Sequence, residues 1–536
     1  VACASFAVGV YQSGAAARSQ RALVQGYAHA WSRGEYPLMY SMLDVASKQQ
    51  LNEAQFRADY AAAAAVATLT SLSIAHVAGP SSGSVPVSAR VHTRLFGVLK
   101  GIVEVPLGAN GSSVHFASTL LFPGIRPGEQ LQRVTVLGAR GALLADDGTP
   151  LAEGPARTSP IPAVAGEVVG ALGPIPRAQA AAYAALGYPP NAKVGLDGLE
   201  QIFQSRLVGR IGGMLLAGRR ILARATPSPG ETVKTTINPG IEQATVNALG
   251  SSYAAMTVID PRTGALLALG GFAYSDVQPP GSTMKIVTST GALQAGIVTL
   301  GTVFHDQTGA DVDGYTIHNS GGEDCGGTLL NAFAVSCNSV FAPLGVELGA
   351  TRLVAAAERF GFNQQPSIPG ELESTIPKVA RIGDSLAVAS SAIGQGKVEA
   401  STLEMADVGA TIAMAGLRPM PTLVYGRTPR FVRVTSSRVA SEVQQMMVAV
   451  VQFGTGTSAQ IPGVEVAGKT GTAELTNTGH SSNAASETDA WFVGYAPVGH
   501  PTVVACALFP NAGFGGATAA PPVRQVLEAA LATKGF

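Results

Sequence analysis

Residues 254–272 read AAMTVID-PRTG-ALLALGGF, two apolar runs around a Pro/Gly turn, which predicts a β-hairpin. Helical patterning follows to about residue 415. Strand-like runs return only as VEVAGKTGTAEL (464–475), AWFVGYAP (490–497) and PTVVACALF (501–509), before a closing helix from Pro522. Strands at both ends of one unit, with helices between, predict a single antiparallel sheet closed by chain-distant strands and covered by helices.

At 536 residues the chain exceeds one ordinary core, so further domains are expected upstream. Leu23, Tyr27 and Trp31 recur at four-residue spacing and FRADYAAAAAVATL favours helix, so residues 16–70 read as helical. Val85, Val87, Ala89 and Val91 then alternate as one face of a strand, with further strand-like runs near 95–106 and 113–122. Helices followed by a curled antiparallel sheet suggest a small cone-shaped α+β domain over 16–124, ended by FPGIRPGEQ. Residues 125–232 mix short strands (RVTVLG, ARGALLADDG), Pro/Gly turns and a helical piece at 176–185, and read as a structural pedestal. The third unit is 233–536. Residues 1–15, beginning VACASFAVGVY, are too short to span a bilayer and look like the remnant of a membrane anchor or signal segment. Cys3 behind Val-Ala fits the end of a lipidation signal, whereas the apolar run past it fits a cut transmembrane anchor better. An extracytoplasmic, membrane-anchored protein is expected.

Lysine plus arginine (35) equal aspartate plus glutamate (35), which gives no electrostatic reason to propose a nucleic-acid partner. Cys325 and Cys337 flank GGTLLNAFAVS and are expected to form a local disulfide in an oxidising compartment, while Cys506 in TVVACALF reads as a buried strand thiol. Gly463–Thr470, GVEVAGKT, matches the phosphate-loop pattern G-x-x-x-x-G-K-[ST] letter for letter. That chemistry needs a glycine-rich loop leading into a helix; here Val464-Glu465-Val466-Ala467 is strand material, so no nucleotide binding is expected.

The same lysine serves another constellation. In QPPGSTMKIVTST, Pro279-Pro280-Gly281 stops a helix from running backwards, which places Ser282 in a first turn and Lys285 on the same face. A serine there can be an ordinary helix cap. It can also be a nucleophile, if burial and a second cation leave Lys285 neutral and able to take its proton. Ser336-Cys337-Asn338 and Lys469-Thr470-Gly471-Thr472 follow in that order. Ser336 could relay a proton to a leaving amine and Asn338 could orient Lys285 and a substrate amide. Lys469 could supply the cation, and its strand could lie along a peptide, with the N–H groups of Ser282 and Thr472 as oxyanion donors.

With these motifs the sequence resembles the class B penicillin-binding proteins, serine D,D-transpeptidases that cross-link peptidoglycan. VIDPRTGALLALGGF, PPGSTMKIVT, SCNSVF, AIGQGKVEASTLEMA, GKTGTAE and WFVGYAP are similar to that family's transpeptidase domain, and RGALLADDGTPLAEG and GLEQIFQSRLVGRIGG to its pedestal. YAHAWSRGEYPLMYSML and LLFPGIRPGEQLQR are similar to the cone-shaped N-terminal extension of the methicillin-resistance type. LADDG departs from the family's usual Asp-Arg before Asn/Asp-Gly, which bears on pedestal packing. The resemblance implies a multidomain α+β protein with a transpeptidase (serine β-lactamase-like) domain, acting without metal or cofactor. It implies catalytic roles for Ser282, Lys285, Ser336, Asn338 and Lys469, and substrate contacts from Thr470, Gly471 and Thr472. The implied partners are peptidoglycan stem peptides, β-lactams as covalent inhibitors, and proteins of wall synthesis or division. Rival readings are a serine β-lactamase, a β-lactam sensor or inactive penicillin-binding module, and a D,D-carboxypeptidase. No glutamate stands in a class A-like deacylating context, and Asn338 differs from the Ser-x-Val of the class D type.

Overall fold

A computed structural model of the chain describes residues 2–474 and 488–533, with side chains from residue 14 onward. Two compact units emerge, neither continuous in sequence. One is built from 1–141, 172–194 and 204–231, the other from 142–171, 195–203 and 232–536. The segment expected as a pedestal, 125–232, therefore contributes to both.

The first unit opens with four helices, α1 (Ala2–Arg33), α2 (Tyr36–Ser41), α3 (Val45–Gln50) and α4 (Glu53–Ala67). Asn52 caps α4 by accepting from Gln55 N–H, and Phe56, Tyr60, Ala63 and Ala67 bury one stripe of it. Tyr60 hydroxyl bonds that of Tyr27 on α1 at 2.8 Å, which satisfies both buried phenols. Strands β1 (Leu69–Val77), β2 (Ser84–Thr93) and β3 (Gly97–Pro106) form an antiparallel sheet in that order. Val85, Val87, Ala89 and Val91 are buried, as their alternation predicts. The expected strand at 113–122 does not form. Val114 instead trades main-chain bonds with Met42 and Asp44, drawing the segment onto the helices, and Ser118–Leu120 closes a 3₁₀ turn. A second sheet pairs β4 (Leu131–Val136) with β5 (Gly212–Ala217) and β5 with β6 (Arg220–Ala225). Residues 2–15 lie within α1, and among the described residues no single helix is long and apolar enough to cross a membrane.

In the second unit the expected strand in ARGALLADDG shrinks to Leu143–Leu144, because the chain reverses at Asp146-Asp147-Gly148 onto Pro150–Ala152. The unusual Asp146 ties this turn down: its N–H donates to Ile237 carbonyl and its Oδ2 accepts from Asn238 Nδ2 at 2.9 Å. Helices α5 (Pro162–Val168) and α6 (Pro239–Leu249) precede the hairpin β7 (Ala255–Asp260) and β8 (Ala265–Gly271). A 3₁₀ turn at Gly281–Met284 runs into α7 (Lys285–Gln294). Then come α8 (Leu329–Ala334), α9 (Asn338–Leu348), α10 (Ala350–Phe360) and α11 (Thr402–Ala413). The helical expectation fails between 303 and 328, where two small β-ladders intervene. Asp313-Gly314 is the signal that marks one of them: both residues have positive φ, as a tight hairpin turn requires. A short ladder of β9 (Leu417–Pro419) and β10 (Phe431–Arg433), then α12 (Ser437–Gln452), lead to β11 (Ala467–Glu474), β12 (Thr488–Ala496), β13 (Val503–Phe509) and the closing helix α13 (Ala520–Thr533).

The main sheet has the order β8-β7-β13-β12-β11, antiparallel throughout. β12 and β13 are buried along their whole length, so both faces are covered. Ala490, Phe492, Ala505 and Ala507 pack with Val523, Leu527 and Leu531 of α13. On Gly409 of α11 an added Cβ would lie 2.7 Å from a Val493 methyl, so that helix also seats closely on the sheet. The phosphate-loop look-alike is resolved here as well: Gly468, Lys469 and Thr470 lie within strand β11, which runs to Glu474, and not at the start of a helix.

Candidate active site

Three chain segments meet beside the edge strand β11. The first is the turn carrying Ser282. Gly281 has φ +52°, donates its N–H to Gly394 carbonyl at 2.9 Å, and has no room for a side chain, since a Cβ would stand 2.8 Å from Thr472 carbonyl. Gly471 mirrors it from the strand, where a Cβ would stand 2.8 Å from Pro280 carbonyl. The two glycines thus let the turn and the strand approach backbone to backbone. No side chain caps the 3₁₀ turn or α7; the local hydroxyl bond comes from Thr283, to Pro280 carbonyl at 2.7 Å. The capping reading of Ser282 is therefore not realised. Its side chain is half-buried, and its first-turn position leaves its N–H without an intrahelical acceptor.

The second segment is the junction of α8 and α9. Ser336 holds φ +64°, an uncommon conformation for a non-glycine residue, between Phe333, whose carbonyl accepts its N–H, and Cys337. Cys337 is bonded to Cys325, so the turn is clamped covalently on its C-terminal side. Asn338 starts α9; its Nδ2 donates to His318 carbonyl at 3.0 Å, which orients Oδ1 towards Lys285.

The third is β11 with Lys469, Thr470, Gly471 and Thr472. Lys285 and Lys469 are both fully buried, and Asn338 nearly so. Lys285 Nζ donates to Ser336 carbonyl and to Asn338 Oδ1, each at 2.7 Å, and lies 3.3 Å from Ser336 Oγ. Lys469 Nζ donates to the same Oγ at 2.9 Å and to Thr470 carbonyl at 3.0 Å. One hydroxyl thus joins two lysines. All their hydrogen-bond partners among the described residues are neutral oxygens. Burial, and secondly the charge of Lys469, holds the Lys285 ammonium well below the usual lysine range; burial lowers Lys469 to about 7. Two carbonyl-type acceptors use both hydrogens of a neutral Lys285 amine and leave its lone pair free.

Thr470 hydroxyl pairs with that of Thr455 at 2.6 Å, and Thr472 hydroxyl accepts from Gly515 N–H at 3.4 Å while staying half-exposed. The structure therefore brings all eight sequence-predicted residues around one cleft. Sequence reasoning missed the aromatic shelf beneath it. Phe341 lies with its ring centroid 5.4 Å from Lys285 Nζ, Phe333 likewise 5.5 Å from Lys469 Nζ, and the rings meet edge to face. Their placement three residues before Ser336 and three after Asn338 is the signal that could have found them. Gly394 and Thr455 were missed too, because they reach the site only through the fold.

The chain has relatives among known proteins. The family model of the penicillin binding protein transpeptidase domain matches residues 254–528, and that of the penicillin-binding protein dimerisation domain matches 147–235. The chain is 32% identical over 367 residues to the peptidoglycan D,D-transpeptidase PbpA of Mycobacterium tuberculosis, spanning 56% of this chain and 73% of that one. It is 25% identical over 403 residues to the peptidoglycan D,D-transpeptidase MrdA of Acinetobacter baumannii, spanning 62% and 60%. Among solved structures, PBPA from Mycobacterium tuberculosis superposes with a TM-score of 0.59 at 28% identity, over 74% of this chain and 99% of that one. The imipenem acyl-enzyme complex of penicillin-binding protein A gives 0.60, also at 28% identity, with the same coverage.

Proposed function

Because the chain belongs to the class B penicillin-binding proteins, we propose that it is a peptidoglycan D,D-transpeptidase acting through an acyl ester on Ser282. The observation that carries the residue assignment is the Ser336 hydroxyl shared by Lys285 and Lys469. Two buried ammonium groups around one hydroxyl repel each other, so one stays neutral, and Lys285 is the one whose position is lowered by its neighbour's charge. Neutral Lys285 takes the Ser282 proton as Oγ attacks the carbonyl of the D-Ala–D-Ala bond. The N–H groups of Ser282 and Thr472 receive the oxyanion. Ser336 passes the proton from Lys285 to the leaving D-Ala nitrogen, the C–N bond breaks, and an ester remains. An amine of a neighbouring stem peptide then attacks the ester, losing its proton back to Lys285 and returning the hydrogen to Ser282. Charged Lys469, with the hydroxyls of Thr470 and Thr472, meets the substrate carboxylate, and Gly471 lets the peptide lie along β11. β-Lactams acylate Ser282 in place of the dipeptide.

The disulfide and the apolar N-terminus support an extracytoplasmic enzyme held to the membrane by an N-terminal segment, where proteins of wall synthesis or division would meet it. Helices α1–α4 followed by the curled sheet β1–β3 support reading 16–124 as an extension like that of the methicillin-resistance type, with 125–232 as pedestal and 233–536 as transpeptidase domain.

Intact-mass analysis after benzylpenicillin, with peptide mapping, tests the assignment. One adduct is expected, on Ser282, persisting long beyond its formation, together with amine-dependent release of D-Ala from a stem pentapeptide. Labelling of a folded Ser282→Ala variant, or an adduct on another serine, refutes it. Rapid hydrolysis of the adduct points to a β-lactamase, D-Ala release without amine dependence to a carboxypeptidase, and acylation without turnover to a sensor.

A further inference from the structure

From Leu417 to Arg438 the chain carries five arginines and no acidic residue, within a protein whose formal charge sums to zero. The fold gathers part of this charge into one open cavity of about 600 Å³, formed between the end of α10 and the β9–β10 ladder. Arg359, Arg430 and Arg433 line it, with Arg418 at its floor and Phe431 and Val432 exposed on its wall. Arg418 is answered from behind by Asp407 at 3.7 Å. Among the described residues the other three form no ion pair. Arg359 is half-buried and donates to Val434 carbonyl at 3.1 Å and Gln294 Oε1 at 3.4 Å; burial without a counter-ion lowers its pKa. Arg433 donates to the carbonyls of Ala415 and Thr435 at 2.7 and 3.3 Å. These neutral acceptors fix the forks in direction and leave their charge uncompensated. Glu358 is the one carboxylate on the wall; it accepts from Asn363 at 3.4 Å and forms no ion pair with the arginines among the described residues.

We propose that this cavity is a binding site for a phosphate-bearing ligand larger than inorganic phosphate, with its phosphates on Arg359, Arg430 and Arg433 and its less polar part on Phe431 and Val432. Planar guanidinium forks held in place match phosphate oxygens in pairs, and a partly desolvated cation gains most from an anion. None of the eight residues gathered around Ser282 lines this cavity, so occupancy is separable from acylation.

Calorimetry on the full chain with tripolyphosphate at low ionic strength tests the site. Saturable binding that weakens with added salt is expected. Arg430→Glu, at an exposed position whose side chain no hydrogen bond in the fold requires, should weaken it about tenfold or more, and Glu358→Gln should tighten it about two- to threefold, with benzylpenicillin acylation unchanged in both. Vesicles of phosphatidylglycerol, with phosphatidylcholine as control, separate the two sources of such phosphate. Arg430-dependent pelleting that tripolyphosphate competes away assigns a lipid headgroup, and tripolyphosphate binding without pelleting assigns a soluble phosphate. No saturable binding of tripolyphosphate, or binding that Arg430→Glu leaves intact, overturns the proposal.

Discussion

The two edges of the five-stranded sheet are treated in opposite ways. At β8 the fold's own groups engage the outward side: Leu269 N–H donates to Glu242 Oε2 at 2.8 Å, Gly271 N–H to Glu167, and Leu266 N–H to Thr422 carbonyl at 3.0 Å. Leu267 carbonyl accepts from Asn238 N–H at 2.8 Å. At β11, among the described residues, no main-chain to main-chain hydrogen bond ties the strand to anything but β12. The strand is instead pressed against the Ser282 turn through Gly281 and Gly471, touching without bonding. An unpaired edge is a standing invitation to another extended chain, which proteins ordinarily block. Here such a block stands on the side away from Ser282 and is missing beside it. The difference teaches that one edge is held by the fold's own groups while the other is left available to an extended chain, as the proposed function requires.

The largest effect should come from removing the cation at the open edge. Lys469→Ala is expected to slow benzylpenicillin acylation by roughly 10²-fold or more in a folded protein. Without the neighbouring charge Lys285 keeps its proton to higher pH, so the rising limb of acylation rate against pH should move upward. An unchanged rate constant and profile would remove Lys469 from the site. Gly471→Ala probes the spacing of the same edge, since the new methyl would stand 2.7 Å from Trp491 Cβ and 2.8 Å from Pro280 carbonyl. A shift of the strand by a fraction of an ångström should cost about 10- to 100-fold in acylation. Wild-type kinetics in that variant would mean the close approach is irrelevant to the chemistry.

The closed edge should respond in stability and not in rate. Burial raises Glu242 from 4.5 to about 8. A carboxyl whose folded pKa is raised binds its proton more tightly when folded, so its contribution to stability falls as pH rises from about 4.5 to 8 and is level above that. Glu242→Gln retains an acceptor for Leu269 N–H and cannot ionise. It should flatten part of the decline in urea midpoint over this range, by up to a few kcal/mol at pH 8. Glu371 and Glu404, raised by burial to about 7 and about 8, keep the rest of the slope. A wild-type slope in the variant, or a loss of acylation, would break the comparison.

What the sequence disclosed follows how local each signal is. The alternation of β2, the unbroken apolar runs of β12 and β13, and the Ser282–Lys285 spacing are written within a few residues, and the structure has them where they were read. The site could be assembled from sequence only because its three motifs are each short. The sealing of β8 was invisible, since Glu167 and Glu242 reach it from separate helices and carry no pattern. The strand expected at 113–122 had the right residues but lost to main-chain bonds offered by Met42 and Asp44. The break in the helices at 303–328 was legible in Asp313-Gly314 and was passed over. Phe333 and Phe341 look like ordinary core residues until the lysines are placed above them.

The discontinuity of the second unit bears on inheritance. Glu167 lies in the stretch 142–171, and Leu143–Leu144 pairs with Val233–Lys234, yet both precede the hairpin that starts the main sheet. An exchange of genetic material joining a foreign sequence at residue 233 would carry off Ser282, Lys285, Lys469 and all five strands, and leave behind the carboxylate that covers Gly271. The recombinant would lose the Glu167 acceptor and the Leu143–Leu144 partner of Val233–Lys234, while Glu242, Thr422 and Asn238 would still cover the rest of β8. The stretches on either side of residue 233 are therefore expected to vary together, and a breakpoint moved to residue 142 would instead part β4 from β5 in the first unit.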